Sequence, residues 1–379
     1  MPNKRLAIIS THPIQYNAPL FRVLAQTPGV DLKVFYTWSQ AQQSVSDKEF
    51  GRKIVWDIPL LEGYDYEFIE NVSNKPKQQF RGLVNPGLIP AIENWHPDAV
   101  LVFGWNFSSH FKAMRHFHGR IPVWFRGDST LLDEKKSLRT ILRRSVLRFV
   151  YSFVDHAFYV GENNRKYFLA HGLKDRQLSF APHAIDNARF GSEEAVAKGK
   201  SWRKDLGYTD NEIVMAFAGK IYHVKNMISF SRQFADYATL NPDCKLRLLI
   251  IGNGEQESLL ANHAFIKRLP FQNQSKMPEI YNIGDIVVLP SVSETWGLVV
   301  NEAMAAGKPV VVTDKVGCAI DLVEQGKNGF YFNLASPNSN FDMFSEIEAA
   351  NLNDIGSRNK NTIKKWSHLA IANSLIKQL

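Results

Sequence analysis

Short apolar segments alternate with longer amphipathic segments along the whole chain. Several apolar segments are unbroken runs of Val, Ile and Leu, which is typical of strands that helices cover on both faces. Alternation of such strands with helices predicts right-handed βαβ units and parallel sheets, an α/β fold. The predicted strands are Arg5–Ser10, Leu32–Tyr36, Ala99–Phe103, Ile121–Phe125 and Ala157–Val160, then Ile213–Ala218, Leu246–Ile251, Ile286–Leu289 and Val310–Thr313.

Chain length and one polar stretch together predict two domains. The chain has 379 residues, more than a single domain usually has, and a polar stretch after Pro182 separates the two series of strands. We expect an N-terminal Rossmann-like domain over residues 1–185 and a C-terminal one over residues 186–360. Residues 361–379 are expected to form a helix that can cross back to the N-terminal domain. Its apolar positions are Trp366, Leu369, Ile371 and Leu375.

The composition is that of a soluble globular protein. Hydrophobic residues make up 45% of the chain, and the longest apolar runs are too short to span a bilayer. Residues 1–10 fit a first strand better than a signal peptide. Cys244 and Cys318 are the only cysteines, so a disulfide framework and a Cys-based zinc site are excluded. We expect a cytoplasmic protein.

Positive charge is concentrated in the first half of the chain. The formal net charge is +8, and residues 1–185 hold 24 Lys and Arg against 16 Asp and Glu. The second half is therefore neutral overall. Such a field attracts an acidic partner, which could be anionic lipid, nucleic acid or a charged saccharide.

Residues 285–314 are the most informative segment of the sequence. They predict a buried strand, a polar loop, a helix and a second strand, which together form a βαβ unit. The helix is predicted to begin near Trp296, with Ser293 or Thr295 as its cap, and to end at Gly307.

Glu294, Gly297 and Glu302 lie where such a unit would bind a ligand. Ligands of open α/β sheets bind beyond the carboxyl ends of the strands, and a helix start offers N–H groups and a positive dipole end to a phosphate. Glu302 follows Glu294 by eight residues, and a helix that begins near Trp296 places it about 9 Å along the helix axis. The two carboxylates could therefore accept hydrogen bonds from hydroxyl groups on either side of the phosphates. Taken alone, the pair is equally compatible with solvated surface charges.

Residues 290–310 resemble the signature of family 4 retaining glycosyltransferases, which have the GT-B fold of two Rossmann-like domains facing across a cleft. The shared pattern is Pro-Ser-x-Ser-Glu-x-x-Gly-Leu-x-x-x-Glu-Ala-x-Ala-x-Gly-x-Pro-Val. The resemblance implies that Glu294 contacts the sugar of a nucleotide diphosphate sugar and that Glu302 contacts its ribose. It also implies that backbone amides between them bind the diphosphate, those of Thr295, Trp296, Gly297, Leu298 and Val299.

Further segments match this family in the same order and extend the resemblance over roughly residues 180–332. Residues 218–226 resemble the family's basic pair, which implies that Lys220 and Lys225 bind the diphosphate and stabilise the leaving group. Solvated surface lysines are the alternative. Residues 250–255 resemble the glycine turn beside the nucleotide, residues 269–281 the stretch that meets the base, and residues 182–190 the interdomain segment. The donor-binding residues implied are Gly219, Gly252, Asn253, Gly254 and Phe271.

The N-terminal half departs from the common family pattern. His12 follows the first predicted strand in place of the usual glycine pair, and Arg126 stands where many relatives carry a histidine. We expect this domain to bind the acceptor, with Asp128 on acceptor hydroxyls and Arg126 on the donor sugar, its phosphate or an acidic acceptor. His12 and Arg126 are thus candidates for catalysis and for acceptor binding. A structural role for His12 is equally compatible with its position.

Residues 135–148 contain six cations and no acid. On a helix, Leu138, Ile141, Leu142 and Phe149 would form one face, with cations such as Arg139 on another. This pattern suits a helix packed on its own domain with a basic outer surface. It equally suits a helix that rests on an anionic membrane, which would make the protein peripheral at the inner face of the membrane.

The resemblance implies a glycosyltransferase that retains the anomeric configuration, using a UDP- or GDP-type sugar donor and a saccharide or glycolipid acceptor in polysaccharide or glycoconjugate synthesis. No protein nucleophile is required in that mechanism, because the departing phosphate accepts the acceptor's proton. The sequence has no Asp-x-Asp motif, so we expect neither a metal nor another cofactor.

Three alternatives stay open at this stage. A sugar-nucleotide epimerase or a phosphorylase of the same fold would give different products. A non-catalytic binder of membrane or nucleic acid would use the basic N-terminal half, although we expect no nucleic-acid partner. An NAD oxidoreductase is disfavoured because no Gly-x-Gly-x-x-Gly pattern follows the first strand.

Overall fold

The buried Val, Ile and Leu runs form the inner strands of two parallel sheets, one in each of two units of the chain. A computed structural model describes residues 2–39, 45–47, 52–54, 59–77 and 79–379. Of the described residues, the first unit contains 2–39, 45, 59–77, 79–183 and His368–Leu379, and the second unit contains 46–47, 52–54 and Ala184–Ser367. The predicted α/β architecture of two Rossmann-like parallel sheets is confirmed.

Seven strands of the first unit form one sheet. They are β1 (Lys4–Ser10), β2 (Val30–Tyr36), β5 (Asp65–Phe68), β6 (Ala99–Phe103), β7 (Val123–Arg126), β8 (His156–Tyr159) and β9 (Leu178–Phe180). Two short strands pair with each other in a separate sheet, β3 (Val45–Asp47) and β4 (Arg52–Ile54); apart from Val45, their residues belong to the second unit. The second unit contains β10 (Ile213–Ala218), β11 (Leu246–Ile251), β12 (Ile266–Leu269), β13 (Ile286–Leu289), β14 (Val310–Val312) and β15 (Gly329–Tyr331).

Helices connect the strands of both sheets. Those of the first unit are α1 (Ala18–Ala25), α2 (Leu88–Trp95), α3 (Ser108–Phe117), α4 (Leu138–Tyr151), α5 (Glu162–Ala170) and α14 (His368–Ile376). Those of the second unit are α6 (Asn187–Phe190), α7 (Glu193–Asp205), α8 (Met227–Leu240), α9 (Met277–Ile283), α10 (Leu298–Ala305), α11 (Ala319–Leu322), α12 (Pro337–Ala349) and α13 (Leu352–Ile363). No helix in the described ranges is both long enough and apolar enough to cross a membrane.

The seven-stranded sheet of the first unit has the order β5-β2-β1-β6-β7-β8-β9, and every pairing in it is parallel. Strand β1 lies between β2 and β6, so that Ile8 pairs with Val34 on one side and Leu101 on the other. The residues from Leu6 to Ile9 are fully buried, because helices cover both faces of a parallel sheet.

The six-stranded sheet of the second unit has the order β12-β11-β10-β13-β14-β15. All of its pairings are parallel, so the loops after β10, β11, β13 and β14 leave from one edge. Strand order reverses between β10 and β13, which is the point where open α/β sheets bind ligands.

The C-terminal helix begins later than predicted. Helix α13 ends at Ile363, and α14 begins only at His368. Trp366 lies in the connection, where its ring packs against that of Trp296 with 5.2 Å between centroids and 35° between the ring planes. Helix α14 packs against α1 of the first unit, with Ile371 and Leu375 buried. Leu369, another apolar position of the predicted helix, is 61% exposed.

Helix α4 packs on its unit through a different face from the one that the apolar pattern indicated. Leu147, Val150 and Tyr151 are buried, whereas Leu138 and Ile141 are exposed. Of the two arrangements that the pattern suited, packing of the Leu138-containing face on the domain is therefore wrong, because a second set of apolar residues on the same helix forms the contact.

Candidate functional site

Glycines shape the loops after β10 and β11 so that the two backbones come into contact. A Cβ atom on Gly252 would lie 1.9 Å from the carbonyl oxygen of Gly219, and one on Gly254 would lie 2.1 Å from that of Ile221. The Gly219 N–H donates to Ile251 O at 3.0 Å, and the Ile221 N–H donates to Asn253 O at 3.0 Å. The structure thus brings three predicted glycines to the carboxyl edge of the sheet, where any side chain would separate the loops.

The Asn253 side chain ties a third loop to this pair. Its Oδ1 accepts a hydrogen bond of 2.9 Å from the Phe271 N–H, just after β12. Its Nδ2 donates to Glu257 at 2.9 Å. Asn253 therefore fixes the backbone at Phe271, the position where the family resemblance places a nucleotide base.

The loop after β13 is fixed by the loop after β14, a contact that the sequence did not reveal. The Glu294 N–H donates to Lys315 O at 3.1 Å, and the Gly317 N–H donates to Glu294 O at 2.9 Å. A Cβ atom on Gly317 would lie 1.9 Å from Thr295 O. In the sequence, the only indication of this second loop was a glycine, Gly317, a few residues after the predicted strand Val310–Thr313.

Lys225 and Glu294 form an ion pair at the centre of this edge. The Lys225 Nζ donates to Glu294 Oε2, and the two side chains are 18% and 21% exposed. Their loops are joined by the Val292 N–H, which donates to Val224 O at 2.9 Å. Lys220 lies in the same loop as Lys225 and is half-buried. The structure therefore places one predicted cation directly on a predicted carboxylate, at a point that water and small ligands can reach.

Helix α10 begins at Leu298, and Gly297 is its N-cap residue with φ of +95°. The helix predicted to start near Trp296 begins two residues later, and its N-cap is Gly297 rather than Ser293 or Thr295. A Cβ atom on Gly297 would lie 2.9 Å from Val316 Cγ1, so this left-handed turn requires glycine. Gly297 makes no side-chain cap, and the N-terminus of a helix favours an anion near its first amides.

The Trp296 side chain belongs to the core. It is 3% exposed, its indole Nε1 donates to Asn301 Oδ1 at 2.9 Å, and its ring packs against that of Trp366. Its backbone oxygen accepts from the Cys318 N–H at 2.9 Å. Trp296 therefore anchors the loop from inside the unit.

Glu302 is buried, with 2% of its surface exposed. The Tyr281 hydroxyl, on α9, donates to Glu302 Oε2 at 2.6 Å, and Tyr281 itself is fully buried. A carboxylate that leaves water needs such charge-assisted hydrogen bonds. Tyr281 is a site residue that sequence reasoning missed.

In the first unit, His12 lies two residues beyond the end of β1. Its Nδ1 lies 2.9 Å from Thr11 Oγ1, and its ring meets Trp38 edge-on at 5.6 Å. Burial lowers the pKa of His12 to about 4, because the charged imidazolium loses its hydration. His12 is therefore neutral at physiological pH, so that one ring nitrogen donates a hydrogen bond and the other accepts one.

Arg126 ends β7 and is 5% exposed. Its guanidinium donates to Ala181 O at 2.7 Å and to Pro182 O at 2.9 Å. Burial lowers its pKa to about 10, while Asp128 acts in the opposite direction. The Asp128 carboxylate lies 3.6 Å from His183 Nε2, and burial also lowers the pKa of His183. In this structure Arg126 thus holds the end of the first unit's main segment in place.

Replacing Arg126 with methionine should lower the free energy of unfolding by about 2–4 kcal/mol, because two buried carbonyl groups lose a charged donor. Urea unfolding measures the change. Arg120→Met is the matched control, since Arg120 is 62% exposed and exposed ion pairs contribute about 0–1 kcal/mol. Unchanged stability of Arg126→Met together with lost activity would instead assign Arg126 to substrate binding.

The match to a family model lies in the second unit. Residues 199–359 match the family model of glycosyl transferases group 1. This region contains β10 through β15 and every predicted donor-site residue. The D-inositol 3-phosphate glycosyltransferase of Nocardia farcinica is 29% identical over 180 residues, which are 44% of this chain and 39% of that protein. The enzyme of the same name from Rhodococcus erythropolis is 32% identical over 141 residues, 34% of this chain and 32% of that protein. The alignments thus span less than half of these curated relatives.

Solved structures match the fold over the whole chain. The Anabaena protein Alr3699/HepE in complex with UDP and glucose has a TM-score of 0.67 and 15% sequence identity, covering 99% of both chains. Sucrose-phosphate synthase from Thermosynechococcus elongatus has a TM-score of 0.68 and 16% identity, covering 99% of this chain and 98% of that one. These matches confirm the expected two-domain fold of glycosyltransferases.

Proposed function

We propose that the protein is a glycosyltransferase that moves a sugar from a nucleotide diphosphate sugar to a hydroxyl group of a saccharide or glycolipid acceptor. The observation that carries the proposal is the Lys225–Glu294 ion pair. It lies beside the glycine-containing loops after β10 and β11, at the edge of the second sheet where the strand order reverses between β10 and β13. This arrangement lies within the region that matches glycosyl transferases group 1. The solved relative with UDP and glucose favours a UDP-type donor.

We assign each part of the donor to a part of this edge. Lys220, Lys225 and the first amides of α10 bind the diphosphate, because cations and a helix N-terminus both favour negative charge. Glu294 accepts hydrogen bonds from the sugar hydroxyls. Glu302 does the same for the ribose. Gly219, Gly252 and Gly254 let the nucleotide approach the backbone, and Phe271 presents its backbone to the base.

The proposed reaction exchanges one glycosidic bond for another with retention of configuration. The bond from the anomeric carbon to the phosphate oxygen breaks, and a bond from the same carbon to the acceptor oxygen forms. The acceptor's hydroxyl proton passes to the departing phosphate oxygen, and the nucleoside diphosphate is released. The protein positions both substrates and stabilises the charge on the leaving group.

The first unit is proposed to supply the acceptor contacts. Neutral His12 and the Asp128 carboxylate can both accept a hydrogen bond from an acceptor hydroxyl. Arg126 already donates to two backbone carbonyls, so we assign it the role of holding the segment that carries His183 beside Asp128.

Donor binding and product analysis test this function. A panel of UDP- and GDP-sugars should raise the melting temperature, because a ligand bound only by the folded state stabilises it.

The described residues hold no group of three or more His, Cys, Asp or Glu side chains arranged for a metal ion. We propose that the cations and amides replace a metal, so EDTA should leave the shift unchanged.

The products distinguish transfer from its alternatives. A new glycoside with the donor's anomeric configuration, detected by NMR together with released nucleoside diphosphate, supports the proposal. A requirement for inorganic phosphate would indicate a phosphorylase, and conversion of the nucleotide sugar to its epimer would indicate an epimerase. If no nucleotide sugar or nucleoside diphosphate shifts the melting temperature at millimolar concentration, the proposal is wrong.

A further inference from the structure

Helix α4 exposes a row of large apolar side chains, which we name the exposed α4 face. Leu138, Ile141, Leu142, Val146 and Phe149 are 85%, 64%, 67%, 48% and 56% exposed. At 3.6 residues per turn they form one stripe, opposite the buried Leu147 and Tyr151. Contiguous apolar surface of this kind marks an interaction site in a folded protein.

Neighbouring aromatic rings extend this surface beyond the helix. The Phe149 ring lies 5.2 Å from Phe153 and 6.3 Å from Phe111. Phe80, which is 45% exposed, lies 6.4 Å from Phe111. The apolar surface is therefore a patch formed by three segments of the first unit rather than one isolated helix face.

Cations border the exposed α4 face on both sides. By helical position, Arg139 and Arg143 lie along one border and Arg148 along the other, and all three are exposed. Lys135 and Lys136 precede the helix and are exposed as well. Residues 135–154 contain no acid. Arg115 adds a further cation, placed over the rings of Phe111 and Phe153 at 5.9 and 5.8 Å.

This combination fits a lipid surface better than it fits other partners. Leucine, isoleucine and phenylalanine in the centre of a stripe can enter the boundary between headgroups and acyl chains, while flanking arginines extend to phosphate groups. Nucleic acid would meet the cations but would leave the aliphatic centre unpaired. A symmetric contact with a second copy would bring the same arginine borders close to each other.

We propose that the exposed α4 face binds the surface of an anionic phospholipid bilayer, with α4 lying in the plane of the interface. The apolar stripe supplies the insertion, and the basic borders supply the preference for negatively charged headgroups. This binding depends on the first unit alone and requires neither a donor nor the proposed reaction.

Flotation with vesicles tests the proposal on the full chain. Vesicles of phosphatidylcholine with about one third phosphatidylglycerol should bind the protein, and vesicles of phosphatidylcholine alone should bind it far less. Ile141→Ser with Leu142→Ser should lower the partition coefficient by about 100-fold. Arg139→Ala with Arg143→Ala should lower it by about 30-fold, and about 1 M NaCl should weaken binding of the unaltered protein, since it screens surface charges.

Matched control variants distinguish binding through the exposed α4 face from non-specific binding to vesicles. Leu240→Ser removes an apolar side chain that is 71% exposed on the second unit, and Lys174→Ala with Arg176→Ala removes two exposed cations of the first unit. Both controls should bind as the unaltered protein does. The proposal is overturned if the protein binds neutral and anionic vesicles equally, or if the α4 variants bind vesicles as well as the unaltered protein. It is also overturned if light scattering shows a dimer that becomes a monomer in the Ile141→Ser, Leu142→Ser variant.

Discussion

Replacing Lys225 with alanine should lower kcat/KM for sugar transfer by about 100- to 1000-fold, the usual effect of removing one group that stabilises transition-state charge. Lys225 lies on Glu294 at the edge of the second sheet, where its charge can stabilise a departing diphosphate. The variant should stay folded, because both side chains of the pair are reached by water and Glu294 can be solvated after the change. Steady-state kinetics with a saturating acceptor measure the loss.

Lys198→Ala is the matched control for Lys225. Lys198 forms an ion pair with Glu194 at 2.6 Å on helix α7, and its side chain is 53% exposed. Losing this surface pair should leave transfer unchanged. A double-mutant cycle of Lys225→Ala with Glu294→Ala should show non-additive losses, since the two groups touch. Full activity of Lys225→Ala would remove the central assignment of the proposed site.

The inner strands of both sheets could be predicted from the sequence, and the edge strands could not. Predicted β11 matches the structure at both ends, and predicted β1 differs by one residue. The missed strands include β5, with the sequence Asp-Tyr-Glu-Phe, and β12, with Ile-Lys-Arg-Leu. Each lies at the edge of its sheet, where one side faces no neighbour, so no continuous apolar run is required.

The parts of the candidate site that lie within short segments of the chain could be predicted from the sequence. The spacing from Glu294 to Glu302 and the glycines after β10 and β11 are properties of short segments. Tyr281 could not be predicted, because its hydrogen bond to Glu302 arises only when α9 packs near α10. Helix α4 shows the same limit: apolar residues occupy two of its faces, and only the tertiary contacts decide which one is buried.

Removing the Glu302 carboxylate is the second change with a large expected effect, and it separates binding from structure. Glu302→Ala should lower kcat/KM by about 100-fold and the free energy of unfolding by about 1–3 kcal/mol, since the buried Tyr281 hydroxyl loses its acceptor. Glu302→Gln keeps the volume and an amide oxygen that accepts from Tyr281. It should therefore recover most of the stability and little of the transfer, because the charged acceptor for the ribose hydroxyls is still absent.

A second tyrosine–glutamate pair in the same unit provides the control for this reasoning. The Tyr237 hydroxyl donates to Glu348 Oε2 at 2.8 Å, and Glu348 belongs to helix α12, away from the carboxyl edge of the sheet. Glu348→Ala should lower stability and leave kcat/KM unchanged. If Glu302→Gln restores transfer as fully as it restores stability, then Glu302 serves only to satisfy Tyr281, and the ribose must be bound by another group. If Glu302→Gln instead retains stability and loses transfer, then the Glu302 carboxylate itself is the group that contacts the donor.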